Sequence, residues 1–279
     1  MTFVTFIQGM ITIRPAAFTW PKVVIALSDG QKNIFSIRKF TLNLVSFFGI
    51  SNQYSIRIVW LRNKLIIQWG SMLKIIQIPL GALQTNSYLL ACTQTKQAAV
   101  IDPAWDGQLI FDQAAENGWT ISHILLTHSH FDHVGGLAEI KQLTNAPIYI
   151  HPEAIPMLKA APMAASMWQM QIPVPPAADK MLAAGDVILV GELKLEVLFT
   201  PGHAPGHVCF YLPVHNVIFD GDVLFQQSIG RTDLPGGDHA LLMKSIKENL
   251  LDLPDETAVL SGHGPTTTIG QEKQWNPFL

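Results

Sequence analysis

Residues 72–279 of this chain predict an α/β fold in which two mixed sheets lie face to face with helices outside. Two observations carry that expectation. Short aliphatic and β-branched runs come first in pairs, then alternate with helical stretches, then come in pairs again; that order yields mixed sheets covered by helices. Several of these runs also stop at a short loop holding histidine or aspartate, and strand carboxyl ends are where α/β proteins place their chemistry.

In order along the chain, residues 75–78 and 88–91 read as strands around a turn over 81–86, and residues 98–101 as a third strand closing at Asp102-Pro103. Residues 109–117 carry apolar side chains at helical spacing, with Gly118 as the stop. Residues 121–127 form the next strand, whose run Ile124-Leu125-Leu126 leads into Thr127-His128-Ser129-His130-Phe131-Asp132-His133. The pair Gly135-Gly136 then opens a helix to about residue 143, and residues 148–150 are a short strand. Residues 152–178 break the rhythm with several prolines and with Met157, Met163, Met167, Met170 and Trp168. A methionine stripe reads first as core. Its place after His151, beyond a strand end, also makes it a candidate helical cap over a cleft. Residues 185–191 and 193–199 predict a hairpin, which delivers Thr200-Pro201-Gly202-His203-Ala204-Pro205-Gly206-His207. Two further apolar strands end in Asp220-Gly221-Asp222 and in Ser261-Gly262-His263-Gly264.

Composition bounds the function. Apolar residues make up 48% and charged residues 14%, so a large core is expected. No run reaches the roughly 18 apolar residues of a spanning helix, so no membrane role is expected. Cys92 and Cys209 lie far apart in apolar, strand-like contexts and read as buried free thiols in a reducing, cytoplasmic compartment. Charge divides the chain sharply at Met72. Residues 1–71 hold eight Lys/Arg and one acid, Asp29; residues 72–279 hold ten Lys/Arg, twenty acids and all ten histidines. The first part alternates short apolar pieces (23–27, 42–50, 65–67) with polar ones, without sustained periodicity. Its opening does not resemble a secretory signal. Met72 is expected to be the true start, with residues 1–71 an over-extended reading frame. The alternatives are an organelle transit segment, given the scarcity of acids, or an extra module.

The cluster of ligand-type side chains at 128–133 is the chemical centre. His128 and His130 alternate with Ser129 and Phe131, so in an extended loop their imidazoles point to one side. Asp132 and His133, at the turn into a helix, can be aimed at a second point. Two adjacent metal positions are easier to build from this spacing than one.

His128-Ser129-His130-Phe131-Asp132-His133 resembles the signature of the metallo-β-lactamase superfamily of hydrolases. The resemblance continues through His203 in Thr-Pro-Gly-His, Asp222 after Gly221, and His263 between two glycines, so it covers essentially all of residues 72–279. It implies a four-layer αβ/βα sandwich and two divalent ions. His128, His130 and His203 would hold one ion, Asp132, His133 and His263 the other, and Asp222 would bridge them, with Asp132 and Asp222 the catalytic carboxylates. His207 reads as a supporting residue rather than a ligand, and Asp102 as a carboxylate orienting a ligating imidazole. Imidazole and carboxylate donors without thiolate suit zinc, and also iron or manganese.

Two segments narrow the chemistry. Ser228-Ile229-Gly230-Arg231-Thr232-Asp233 with the glycines after it, and the ending Thr267-Thr268-Ile269-Gly270, resemble the short hydroxyacylglutathione hydrolases of the type II glyoxalase kind. That implies hydrolysis of an S-(2-hydroxyacyl)glutathione, S-lactoylglutathione foremost, in detoxification of methylglyoxal; a small-molecule thioester is then the expected partner. Longer members of that family carry a C-terminal helical domain for the glutathione carboxylates. Only sixteen residues follow His263, which puts glutathione specificity in doubt more than thioester hydrolysis. Arg231, the one arginine of residues 72–279, is either an anion clamp or an ion-pair partner of Asp233. The alternative is a persulfide dioxygenase of the same superfamily, which shares the Gly-Arg-Thr-Asp element and uses one iron held by two His and one Asp. Metallo-β-lactamases proper are disfavoured because they lack an aspartate at the bridging position. Nucleic-acid cleavage is disfavoured because the acidic part shows no basic patch for phosphates. Oligomeric state is not legible in the sequence.

Overall fold

The computed structural model describes residues 72–279 throughout and, upstream, the backbone of five strands. These are β1 Phe3–Ile7, β2 Met10–Arg14, β3 Val23–Ala26, β4 Tyr54–Leu61 and β5 Lys64–Ser71. β1, β2 and β3 form an antiparallel sheet and β4 pairs with β5. Strands therefore form over 23–26 and 64–71 although the sequence shows no sustained period there. The apolar piece at 42–50 lies outside the described residues, as does any test of Met72 as a start.

The first large sheet contains β6 Leu73–Leu80, β7 Thr85–Cys92, β8 Gln97–Ile101, β9 Thr120–Leu125, β10 Ile148–Ile150 and β11 Lys180–Met181. They lie in the order β11-β10-β9-β8-β7-β6; β6, β7 and β8 are antiparallel neighbours and β8 to β11 run parallel. The second contains β12 Val187–Val190, β13 Leu193–Phe199, β14 Val208–Leu212 and β15 Val217–Gly221. β18 Ala258–Ser261 and β19 Thr267–Thr268 follow beyond a small ribbon, β16 Leu224–Phe225 with β17 Ser228–Ile229. Its order is β12-β13-β14-β15-β18-β19, with β15 and β18 parallel and the remaining pairs antiparallel.

Alternation along the strands sorts side chains into three cores, which makes the four layers. On β7, Leu89 and Ala91 face outward, under α1 Gly107–Glu116 and α3 Leu137–Thr144, joining Ile110 and Ile140. Tyr88, Leu90 and Cys92 face inward and meet Val197, Phe210 and Phe219 of the second sheet. On the far side Cys209, Tyr211, Ile218 and Val259 lie under Leu242 of α5 His239–Ser245, Ile246 and Leu250 of the π-turn after it, and Ile269 of α6 Ile269–Trp275. Both faces of each central strand are covered, so β7, β8 and β14 read as nearly continuous apolar runs.

Three local departures from the sequence reading have plain causes. Helix α1 begins at Gly107 rather than at residue 109, because Asp106 caps it, accepting from the Leu109 N–H at 3.0 Å. The helix expected after the histidine motif is two: the single turn α2 Phe131–Val134, then α3. Gly135 separates them, and a Cβ there would collide with the Ala104 carbonyl and the Trp105 ring. Finally, Thr85 and Asn86, read as turn, are the first residues of β7 and fully enclosed.

The methionine stripe is core only in part: Met170 packs against the first core, whereas Met163 and Met167 do not. Helix α4, Ile155–Met167, buries Leu158, Ala161 and Ala165, spaced three and four apart on one face. Met163 and Met167 fall on the opposite face and are 68% and 80% exposed, while Met157 and Met170 are half-buried. The reading of residues 152–178 as a helical element beside the cleft fits better: the Trp168 ring lies 6.2 Å from that of Phe131 in the histidine motif.

Candidate metal centre

Strands β8, β9, β13, β15 and β18 each deliver a functional residue from the loop at their carboxyl end. β8 runs parallel to β9; β15 is parallel to β18, and also to β13 through two antiparallel steps. Within each sheet these loops consequently share one edge. The Gly262 N–H donates to Gly221 O at 2.6 Å and the Asn86 N–H to Gly262 O at 2.7 Å, stitching the loops of both sheets together.

Two groups of donors converge there. His128 Nε2 and His203 Nε2 lie 3.1 and 2.9 Å from His130 Nδ1. Neighbouring donors of a tetrahedral ion bound at ~2.05 Å stand roughly 3.3 Å apart, so one small cation fits among these nitrogens. In the second group His263 Nε2 is 3.1 Å and His133 Nε2 is 3.7 Å from Asp132 Oδ2. Asp222 spans both: its Oδ2 lies 3.5 Å from His203 Nε2 and 3.7 Å from His263 Nε2, and its Oδ1 lies 3.4 Å from His133 Nε2.

The donors fit divalent cations on a direct observation. His133 Nε2 and Asp222 Oδ1 are buried and make no hydrogen bond; they face each other across 3.4 Å as charges only. An orphaned buried polar atom costs about 1–3 kcal/mol, more when charged, and a shared cation removes that cost for both. The charge balance agrees. Burial and neighbouring imidazoles hold His128 well below the ordinary histidine value, and burial followed by His203 brings His130 down to about 4. Their lone pairs are therefore free at neutral pH. Burial alone would raise Asp132, but His133, His263 and the Thr85 hydroxyl bring it to about 2. Asp222 is likewise lowered, against its burial, chiefly by His133. His133 itself is raised well above its ordinary value because Asp222 and Asp132 outweigh its burial.

Partners behind the cluster orient the rings. His133 Nδ1 meets Asp102 Oδ2 at 3.0 Å; Asp102 also accepts from the Thr127 N–H (2.7 Å) and hydroxyl (2.6 Å). His203 Nδ1 donates to Arg231 O at 2.8 Å, and His128 Nδ1 lies 3.0 Å from Thr127 Oγ1. His207 stacks on His128, rings 5.0 Å apart at 26°. Its Nε2 accepts from the Asp222 N–H at 3.2 Å and its Nδ1 lies 3.0 Å from Thr200 Oγ1, so neither nitrogen enters the cluster. The Arg231 side chain makes a bidentate pair with Asp233, both bonds 2.7 Å, and stays half exposed. What Arg231 lends the cluster is its carbonyl.

Sequence reasoning passed over Thr85, Asn86 and Tyr88. The Thr85 hydroxyl donates to Asp132 Oδ2 at 2.8 Å. The Asn86 carboxamide donates to Ser261 O at 2.9 Å and Gly264 O at 3.0 Å, and the Tyr88 hydroxyl to Ser261 O at 2.7 Å. The available signal was three polar residues, Thr85-Asn86-Ser87, directly ahead of an apolar strand.

Similarity to known proteins agrees with the fold. The sequence profile of the Metallo-beta-lactamase superfamily matches residues 80–263. The chain belongs to the metallo-beta-lactamase superfamily. It is 38% identical over 209 residues to the hydroxyacylglutathione hydrolase GloC of Haemophilus influenzae, covering 72% of this chain and 96% of that one. Among solved structures it is similar to TTHA1623 in a di-iron-bound form, with 42% identity, TM-score 0.68, and coverage of 73% of this chain and 100% of that one. It is similar also to the BLEG-1 B3 metallo-beta-lactamase, with 43% identity, TM-score 0.70, and coverage of 74% and 99%. The superfamily comprises metal-dependent hydrolases, and the two large mixed sheets flanked by helices are its fold. Among the described residues no helix is long and apolar enough to cross a membrane.

Proposed function

We propose that this protein is a binuclear metal-dependent thioesterase that hydrolyses S-(2-hydroxyacyl)glutathione, S-lactoylglutathione foremost, to the hydroxy acid and glutathione. The observation that carries the reading is the Asp222 carboxylate set between two donor groups, 3.5 Å from His203 and 3.4 Å from His133. His128, His130 and His203 would hold one ion, Asp132, His133 and His263 the other, and Asp222 would serve both. Zinc suits the donors; iron and manganese suit them too, and the di-iron form of TTHA1623 supports the two-ion count. The similarity to GloC supports the substrate class.

Two divalent ions, when bound, lower the pKa of water from 15.7 towards ~7 and polarise the thioester carbonyl. The chain's own residues supply the rest. Asp132, ionised and tied by Thr85, orients the attacking water. Asp102 holds the His133 ring and the Arg231 carbonyl holds the His203 ring. His207 supports the Asp222 backbone. The leaving thiolate, with a pKa of about 8.5, needs little help from an acid. Arg231 is assigned to the substrate carboxylates, which would require it to leave or share Asp233. Arg231→Ala is then expected to raise KM with kcat little changed, the mark of lost uniform binding; an unchanged KM would leave the arginine to its ion pair.

The experiment that tests the function measures metal content beside turnover. About two ions per chain, thioester hydrolysis and no oxygen uptake are expected. One iron per chain, with oxygen consumed on glutathione persulfide and the thioester untouched, would replace this reading with the persulfide dioxygenase. Efficient β-lactam hydrolysis with the thioester untouched would move it to the lactamase class that BLEG-1 represents.

A further inference from the structure

Among the described residues, His263 and His130 differ from the other histidines of the cluster in having no hydrogen-bond partner behind the ring. The rings of His128, His133 and His203 each have a partner behind them, in Thr127, Asp102 and the Arg231 carbonyl. The polar contacts of the His263 ring run forward, to Asp132 at 3.1 Å and Asp222 at 3.7 Å; otherwise it meets the Phe225 ring edge-on at 6.4 Å, and its side chain is 31% exposed. Its aim therefore depends on its backbone. That backbone lies between Gly262 and Gly264, and glycine is the residue least able to fix a chain by itself. Gly262 cannot be exchanged for a stiffer residue, because a Cβ there would collide with the Asp222 carboxylate and the His133 ring.

The stiffness comes instead from β7 of the opposite sheet. Asn86 brackets His263 with three hydrogen bonds: from its side chain to Ser261 O (2.9 Å) and Gly264 O (3.0 Å), and from its N–H to Gly262 O (2.7 Å). Tyr88, two residues on, adds its hydroxyl to Ser261 O at 2.7 Å. Both side chains are buried, so these bonds are little weakened by water. A carboxamide is suited to the task because its NH₂ supplies two donors in a fixed fork; aspartate supplies none when ionised and serine only one. Thr85, next in the strand, holds Asp132, the other donor that His263 meets.

We propose that Asn86 is a positioning residue for the second metal position, a latch that sets the Ser261–Gly264 loop so that the His263 imidazole meets Asp132 and Asp222. It touches neither ion nor substrate and acts through His263. This rests on the two-ion reading above.

The test is stepwise Zn²⁺ titration of the metal-stripped full-length chain, followed by calorimetry, with elemental analysis after dialysis. The wild-type chain takes up two equivalents. Asn86→Leu, which keeps the branched shape and removes both side-chain donors, leaves the first equivalent unchanged and weakens the second by about 10–100-fold, the usual effect of removing a group behind a ligand. Placed on a His263→Ala background, Asn86→Leu changes nothing further, because the residue through which it acts is gone. Tyr88→Phe, which conserves shape if Asn86→Leu proves unstable, weakens the same equivalent by a smaller factor. Equal weakening of both equivalents, full additivity with His263→Ala, or an unaltered second equivalent in the variants would overturn the proposal. A wild-type chain that takes up a single equivalent gives a different signature and overturns the two-ion reading, and this proposal with it.

Discussion

The two proposed ion positions are built on opposite plans. Apart from the shared Asp222, the first is built of imidazoles alone: His128 and His203 are buried, His130 is half-buried, and burial holds all three below the ordinary histidine value. The second mixes one carboxylate with two imidazoles, and both imidazoles are driven towards the charged form by Asp132 and Asp222 against their burial. The first draws two ligands from one loop and the third from the facing sheet. The second depends on a glycine-flanked loop that leans on β7. The difference teaches that a buried imidazole set receives a cation without first losing protons, whereas the second set must give protons up.

Asp222→Ala should produce the largest effect, because it erases the contrast. It removes a donor from both positions at once, so both ions and all hydrolysis above background are expected to be lost, as read by elemental analysis and thioester turnover. Two tightly held ions in that variant would take Asp222 out of the bridging role. Asp102→Ala should sharpen the contrast. It leaves the His133 ring without its partner, and about a 10–100-fold loss of metal affinity is expected, confined to the second position. An equal loss at the first would mean that Asp102 acts through Thr127 and His128 instead.

Acid should separate the positions without mutation. His133 and His263 have raised pKa values in the metal-free protein, so below those values each must lose a proton to receive the ion. Affinity at the second position should therefore fall as pH falls, by about tenfold per pH unit for each proton displaced. The first position, whose three histidines are all held below the ordinary value, should keep its affinity to lower pH than the second. Parallel pH dependence of the two binding steps would refute the division. The smallest expected effect is that of removing residues 1–71. We propose that residues 72–279 are the catalytic unit, since every proposed ligand lies there and the similarity to GloC takes in 96% of that protein with 72% of this chain. A chain beginning at Met72 should fold and keep its turnover; failure to fold would make the upstream strands part of the same structure.

Much of this architecture was legible because it rests on local chemistry. The runs at 88–91, 98–101 and 217–219 are apolar on both faces because both faces are covered, and the glycines and prolines that end them are written in the chain. His128, His130, Asp132 and His133 announce themselves because four donor side chains within six residues have few other uses. The methionine stripe misled because residue type was read without the helix phase: Leu158, Ala161 and Ala165 took the buried face and left Met163 and Met167 outside.

The sequence alone was enough for the strands and helices from residue 75 to 150, the hairpin at 185–199, the strands ending at Asp222 and His263, and the donor types at strand ends, since each follows from periodicity and side-chain identity over a few residues. Beyond the strand-like context of Cys209, β14, α5 and α6 were not read from it. Tertiary structure alone decided what holds those donors in place. Asn86 reaches carbonyls at residues 261 and 264, Tyr88 reaches residue 261, and His203 reaches the carbonyl of Arg231. Such partners carry no local mark, because a hydrogen bond to a distant backbone carbonyl depends on where two sheets meet and not on the residue that supplies the oxygen.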